Sequence, residues 1–271
     1  MEEQKKQNRN ALRVRKAASR YESPEPMPEN LVAGRNAVLE LLKTGRDVDK
    51  IFVKRGDREG SIKVLVAQAI ERKIPVLEVD GLKLDALCGG QIKHQGVVAF
   101  AAEKEYCAVD DLFEIAKDRG EEPFFVIADN ITDPNNLGAM IRSAEGAGAH
   151  GLILPKRHAA GLTVVVAKAS AGALAHLAVA KVSNLATTIL ELKKRGVWIF
   201  TAEAGGTDYH RCDMKVPAAF VFGSEGEGVS RLIREESDFI VSLPMRGKVN
   251  SLNVSAATAI ILYEAAHQKF D

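Results

Sequence analysis

Cysteine, tryptophan and long apolar runs are scarce in this chain, and each scarcity removes a class of protein. Cys88, Cys107 and Cys212 are the three cysteines, far apart and without CxxC or Cys/His spacing. That pattern excludes a disulfide scaffold and offers no zinc-ligand set, so no metal is expected. No apolar run approaches the roughly 18 residues of a membrane span, and the first residues lack the apolar core of a signal peptide. A cytoplasmic protein without membrane contact is the expectation. An excess of one charge is also missing, since 37 Lys and Arg meet 36 Asp and Glu.

What is present is ordinary globular material, 46% apolar and 27% charged over 271 residues, enough for two domains with a buried core. The charge balance conceals an uneven distribution. Residues 1–20 hold seven basic residues against Glu2 and Glu3, which leaves the body faintly acidic. A basic arm suits a polyanion, because neutralised phosphates release counterions, and it equally suits a solvated tail with no partner.

The prolines at 24, 26 and 28 cannot continue a helix and mark a linker. Residues 1–29 are thus a basic tail and Pro-rich linker. Residues 30–104 read as a small α/β domain, with helices over 36–43 and 60–72 and strands over 50–54, 75–79 and 97–101. Residues 105–122 read as a helical connection, over 106–120. Residues 123–271 alternate strand and helix. Strands are expected over 124–128, 151–154, 178–182, 197–201, 218–222 and 239–243. Helices are expected over 137–147, 163–169 and 186–195, a brief one over 230–235, and a final one over 252–269. Continuous Val, Ile and Phe strands alternating with helices predict a parallel sheet covered on both faces.

Three strand-loop-helix junctions in this second domain carry the chemistry. Residues 129–144 read DNITDPNNLGAMIRSA, residues 222–228 read FGSEGEG, and residues 243–255 read LPMRGKVNSLNVS. Each follows an apolar strand and contains glycine or asparagine, which frees backbone N–H groups to face a ligand. GSEGEG is no dinucleotide fingerprint. That fingerprint follows the first strand of a βαβ unit and opens a long helix, whereas this segment precedes only a short one near the end of the chain. A nicotinamide-dependent oxidoreductase is therefore disfavoured.

In order and spacing, the three segments resemble the motifs of the SpoU/TrmH family of RNA ribose 2′-O-methyltransferases, of the SPOUT class. The likeness runs from about Phe124 to the C-terminus, and LVAGRNAV at 31–38 resembles the start of the family's small RNA-recognition domain. The intervening KASAGA at 168–173 resembles the branch that methylates a guanosine of 23S rRNA; transfer RNA is the runner-up. The family's pattern often continues Leu-Glu-His, where this chain has Leu174-Ala175-His176, so one acidic group is absent. The resemblance implies an α/β-knot fold with a C-terminal trefoil knot, an L30e-like domain before it, and S-adenosyl-L-methionine as cofactor. It also implies a homodimer whose two-fold interface holds the final helix and parts of the first motif. The apolar stripe Val254, Ala257, Ile261, Leu262 and Ala265 exceeds what one core needs, and fits that expectation.

For the cofactor, the resemblance implicates Thr201, Ala202, Gly223, Leu243, Met245 and Leu252. For catalysis and RNA it implicates Asn136, Arg142, Glu225, Asn253 and Ser255. Methyl transfer to a ribose hydroxyl needs a group to manage a weakly acidic proton. In the family the equivalent of Arg142 is proposed as a general base. A guanidinium, with a pKa above about 12, is better suited to clamping the 3′ phosphate and stabilising the developing alkoxide. Glu225 could orient Arg142 or accept from a guanine edge. Asn253 and Ser255 could cap the last helix and also face a phosphate. Each has an ordinary alternative: a surface ion pair for Arg142, an exposed turn for Glu225, and a plain cap for Asn253. His158 and His176 are either proton-relay candidates or structural residues. A non-catalytic RNA-binding factor of the same fold is the competing function, disfavoured by retention of all five polar residues together.

Overall fold

The computed structural model describes residues 30–44, 46–57, 60–89 and 92–270. The basic tail and linker expected over 1–29 lie outside them. The first domain opens with β1 (Leu31–Ala33), α1 (Arg35–Lys43), β2 (Val48–Lys54) and α2 (Ser61–Glu71), and continues with β3 (Val76–Val79), α3 (Gly81–Leu87) and β4 (Val97–Ala101). Its sheet has the order β1-β4-β2-β3, antiparallel except for the β2–β3 pair. Neither β1 nor α3 is expected from the sequence. β1 is three residues long and α3 seven, too short for a hydrophobic period to declare itself.

After the connecting helix α4 (Val109–Arg119), the second domain follows as β5 (Phe124–Ala128), α5 (Pro134–Gly146), β6 (Gly151–Pro155), α6 (Val164–Ala169), α7 (Ala173–His176), β7 (Ala178–Val182) and α8 (Leu185–Lys194). It ends with β8 (Trp198–Asp208), β9 (Ala218–Phe222), α9 (Arg231–Glu235), β10 (Phe239–Ser242) and α10 (Val254–Phe270). The six strands lie in the order β10-β8-β9-β5-β6-β7, and every pairing is parallel.

The alternation of side chains along each strand assigns the helices to faces. Phe124, Val126 and Ala128 join Phe220 and Phe222 in a core with α5, α6 and α10. Phe125 and Ile127 join Ala219 and Val221 in a second core with α4 and α8. Each fully buried Phe contributes on the order of 1.5–3 kcal/mol, so a parallel sheet sandwiched by helices is the economical solution for these runs. Phe124 and Phe220 also meet edge to face at 5.7 Å.

Local chemistry sets the ends of the elements that carry the site. Asp133 accepts the Asn135 N–H at 2.7 Å and Pro134 occupies the first helical position, so α5 starts a turn earlier than periodicity suggests and carries Asn136 in its first turn. Gly138 is where α6 crosses α5. A Cβ there would stand 2.4 Å from the Ala169 Cβ and 2.9 Å from the Val166 carbonyl oxygen.

The connection over 106–120 is helical only from Val109. Tyr106 and Cys107 are extended, because the Tyr106 N–H donates to Asp47 at 2.7 Å and the Cys107 N–H to the Val179 carbonyl at 3.0 Å. The strand expected over 197–201 is also longer, continuing to Asp208 through a register shift opposite Ile240/Val241. At Gly206, β10 passes so closely that a Cβ would lie 2.4 Å from the Ile240 oxygen.

A buried cluster joins the two domains, beside the bonds of Lys104 to the Leu174 and Leu177 carbonyls at 2.9 and 2.8 Å. Asp49 of β2 binds Lys181 of β7 at 2.8 Å and receives the hydroxyl of Tyr106. That hydroxyl also accepts the Leu162 N–H at 3.1 Å. Gly161 lies directly against Asp49, with room for no Cβ.

Candidate active site

Parallel α/β sheets place ligands beyond the carboxyl ends of their strands. Here the middle of β8 and the ends of β9 and β10 border a cavity of about 640 Å3, within the usual range for a cofactor site. Ala202, Gly223, Leu243, Met245 and Leu252 all line it. Thr201, expected among them, does not. Its side chain is fully buried and its hydroxyl is taken by Ser237 at 2.6 Å, so it serves the β8–α9 packing beneath the cavity.

The loop after β9 is shaped by glycine. Gly223 passes under the return of its own loop, where a Cβ would fall 2.1 Å from the Gly228 carbonyl carbon. Gly226 and Gly228 have φ of 90° and 70°, a region that glycine enters without strain. The buried Asp129 beyond β5 accepts the Ser230 N–H at 2.7 Å and pins the far end of this loop. The result holds Glu225 outward at the cavity rim.

At that rim three amino acids from three distant segments converge. Asn136 donates to Glu225 Oε1 at 3.1 Å, and Asn253 donates to Asn136 Oδ1 at 3.0 Å and to the same Glu225 oxygen at 2.5 Å. Asn253 is simultaneously the cap of α10, accepting the Ser255 N–H and hydroxyl at 2.9 and 2.5 Å. Ser255 is thereby engaged as part of the cap. Leu252 lies outside the helix for the same reason, against the expectation that α10 begins there.

Arg142 is not brought to this cluster. It sits on α5, exposed, and it lines none of the cavity within the single chain. His158 is exposed in the loop after β6 with φ of 58°, and His176 is exposed at the end of α7. Neither approaches the rim.

The cofactor segment that the resemblance implies, 201–205, includes Glu203 without giving it a role of its own. Glu203 lines the cavity from the middle of β8, with Oε1 paired to Arg234 at 3.2 Å. Its other oxygen, Oε2, is buried without a hydrogen-bond partner among the described residues. Leaving a carboxylate oxygen unmet costs on the order of 1–3 kcal/mol, and Oε2 itself lies beneath the cavity wall, out of contact with the open space.

The stripe assigned to a dimer interface is also placed differently. Val254, Ile261, Leu262 and Ala265 belong to the chain's own core, and Ala257 lines the cavity. The apolar side chains that α10 leaves outside are Ile260, Tyr263 and Phe270. Because α10 is apolar around most of its circumference, the sequence does not reveal which face stays exposed.

A six-stranded parallel sheet, a cavity at its carboxyl edge and an Asn–Glu–Asn rim define a cofactor-dependent α/β enzyme site. Residues 123–263 match the SpoU rRNA methylase family, and residues 31–107 match the RNA 2′-O ribose methyltransferase substrate-binding domain. The chain belongs to the SpoU/TrmH family of RNA methyltransferases. A candidate TrmH family tRNA/rRNA methyltransferase of Bacillus subtilis is 44% identical over 239 residues, spanning 88% of this chain and 95% of its own. A counterpart from Staphylococcus haemolyticus is 41% identical, over 90% and 97%. Among solved structures, the SpoU methyltransferase AviRb of Streptomyces viridochromogenes, in complex with AdoMet, matches with a TM-score of 0.55 and 26% identity, over 88% of this chain and 89% of that one. The fold is that of the SpoU methyltransferases.

Proposed function

We propose that this protein transfers a methyl group from S-adenosyl-L-methionine to a ribose 2′-hydroxyl of structured RNA, with a guanosine of 23S rRNA as the target. The observation that carries the reading is the rim cluster of Asn136, Glu225 and Asn253 beside a cavity of cofactor size. The cavity suits the cofactor. Its walls combine apolar side chains with turn backbone and carry Glu203 beside them. When bound, the cofactor supplies an electrophilic methyl group on a sulfonium.

The residues of the chain do the rest. Asn136 and Asn253 donate to one Glu225 oxygen, leaving the other to accept from the RNA. A carboxylate so held suits the N1–H and N2–H of a guanine, which favours that base. Ser255 and the α10 N-terminus present a positive dipole end toward phosphate. The family likeness supports RNA, while relatives described as tRNA/rRNA methyltransferases keep transfer RNA as the second target.

Residues 30–104 serve as the RNA-binding domain, joined by residues 105–122 to the catalytic domain of residues 123–271. A homodimer completes the site. Ile260, Tyr263 and Phe270 are exposed on α10 while Arg142 is exposed on α5, which α10 packs against. A second copy covering this face would bury the apolar group and give Arg142 a site to serve. No described helix is long and apolar enough to cross a membrane, and the proposed rRNA substrate supports a cytoplasmic address.

Incubation with methyl-labelled S-adenosylmethionine and unmodified 23S rRNA or tRNA transcripts, followed by mapping of alkali-resistant phosphodiester bonds, tests the reading. A single resistant guanosine site in 23S rRNA is expected. Label on a base, or none with either RNA, would sink it.

A further inference from the structure

A second cavity, of about 280 Å3, lies between the two domains. Its walls carry Arg72 and Lys73 from the end of α2, Lys156 from the end of β6 and Lys181 of β7, together with Tyr106 and Asp47. Two of the cations are structurally committed. Arg72 donates to the Leu42 and Arg46 carbonyls at 2.7 and 3.0 Å, and Lys181 binds Asp49. Asp47, the single acid on the wall among the described residues, already receives the Tyr106 N–H. Lys73 and Lys156 have no ion-pair partner among the described residues. Burial, with Lys73 and Lys181 nearby, pushes the Lys156 ammonium below the ordinary lysine range. An anion in the cavity would relieve that crowding.

Lys73 shows a further mark. It follows α2 in the left-handed region at φ 56°, a position that glycine occupies without strain. Lysine is thus held at a place where the backbone would favour glycine.

The location supplies the occupant. Lys156 and Lys181 stand at the carboxyl ends of β6 and β7, on the same edge of the sheet as the active-site cavity. β7 is three strand intervals from β9, about 14 Å. The loop between carries exposed Arg157 and His158, and its Ala160 N–H donates to Ile131 in the loop that leads to Asn136. We propose that this interdomain cleft, through Lys73 and Lys156, binds phosphates of the RNA strand flanking the nucleotide at the active site. The proposal rests on the reading of the protein as an RNA methyltransferase and adds to it a defined path for the backbone. It also gives the two domains a joint task, since the cation pair is assembled only when α2 and β6 are docked.

The test uses the full-length protein and a fluorescein-labelled oligouridylate, with anisotropy measured over a salt series. Each phosphate of single-stranded RNA that the protein ceases to neutralise flattens the slope of log affinity against log salt by about 0.7, so Lys73→Gly with Lys156→Ala should flatten it by roughly 1.4. Lys73→Gly alone should weaken RNA binding while its melting temperature stays at or above wild type, a combination that a packing role does not produce. Lys194→Ala with Lys215→Ala removes equal charge near the opposite edge of the sheet and should leave the slope unchanged.

A wild-type slope in the cleft double variant, an equal loss in the Lys194/Lys215 control, or no measurable oligouridylate binding by the wild type would overturn the proposal. Saturable inorganic phosphate binding in the cleft, with RNA affinity unchanged in the double variant, would assign it to free anion and overturn it as well. Methyl transfer separates this from the function itself. A wild type that binds RNA through the cleft yet transfers no methyl group refutes the activity and leaves the cleft. A double variant with wild-type RNA affinity in an active enzyme refutes the cleft and leaves the activity.

Discussion

The Asn253 side chain donates its amide to Asn136 Oδ1 at 3.0 Å, joining the cap of the last helix to the first turn of α5 across 117 residues of sequence. The same residue caps α10 through its Oδ1. One side chain therefore fixes a helix and orients the polar rim of the cavity, and the two tasks can be separated experimentally.

Asn253→Ser keeps a capping oxygen but loses both bonds to Asn136 and Glu225. Stability should stay within about 0.5 kcal/mol, since Ser and Asn are near-equal caps. Turnover should fall roughly tenfold to a hundredfold, the scale of losing a hydrogen bond to a charged group. Asn253→Ala loses the cap as well and should cost about 1 kcal/mol more in stability. Urea unfolding read beside single-turnover methylation checks both halves; equal stability in the two variants would refute the capping role.

Glu203 should govern cofactor affinity. It lines the cavity, with Oε1 holding Arg234 and Oε2 buried and without a hydrogen-bond partner among the described residues. Glu203→Gln keeps the shape and removes the charge, so S-adenosylmethionine should bind on the order of tenfold more weakly, as expected for a hydrogen bond to a charged acceptor. RNA affinity should be unaffected. Unchanged cofactor affinity by calorimetry would show that the Glu203 carboxylate does not serve the ligand.

How much of this is legible beforehand follows from the range of the signals. The six strands of the catalytic sheet are readable because each holds a short run rich in apolar residues, although Lys181 interrupts β7, and alternation within Phe124–Ala128 even divides the two cores. The start of α5 is hidden from periodicity and declared only by the Asp133-Pro134 cap. The extension of β8 to Asp208 depends on a register shift against β10, a partner about thirty residues away, and no local rule contains it. The rim residues are identifiable by family resemblance, yet their mutual bonds are not, because they join positions 28 to 117 residues apart. The same holds for Thr201, whose hydroxyl is consumed by Ser237, and for the α10 stripe, which the core absorbs.

His150 should make the fold sensitive to acid. Its ring is fully buried, with Nδ1 accepting the Phe124 N–H at 3.0 Å and Nε2 2.9 Å from Glu121. Burial holds the imidazole below its ordinary pKa, and the Glu121 carboxylate offsets this only in part. A histidine whose folded pKa is depressed stabilises the protein above its unfolded value of about 6.5, and that contribution is lost as pH falls through the folded value. Thermal stability should therefore decline below about pH 6.5. His150→Asn can keep an acceptor for Phe124 without titrating, so its stability should vary less between about pH 7 and pH 5. An equally steep decline in that variant would assign the acid sensitivity elsewhere.

Arg142 is the sharpest test of how the site is completed. It is exposed and lines none of the cavity within one chain, so Arg142→Ala should change stability by no more than about 0.5 kcal/mol. If a second copy brings this guanidinium to the RNA phosphate and the developing alkoxide, turnover should nonetheless drop at least about a hundredfold, the scale of removing one preorganised donor. S-adenosylmethionine binding should persist, because the cavity walls come from the middle of β8, the loops after β9 and β10, and the start of α10. Arg142→Lys should recover only part of the loss, since an ammonium keeps the charge and not the planar fork. Mixing Arg142→Ala with an Asn136→Ala variant decides whether the residue acts across subunits. Complementary subunits regain a share of activity when Arg142 serves the partner's cavity, and stay inactive when each chain must hold both side chains. A monomeric enzyme of full activity by light scattering at micromolar concentration would remove the second copy from the mechanism altogether.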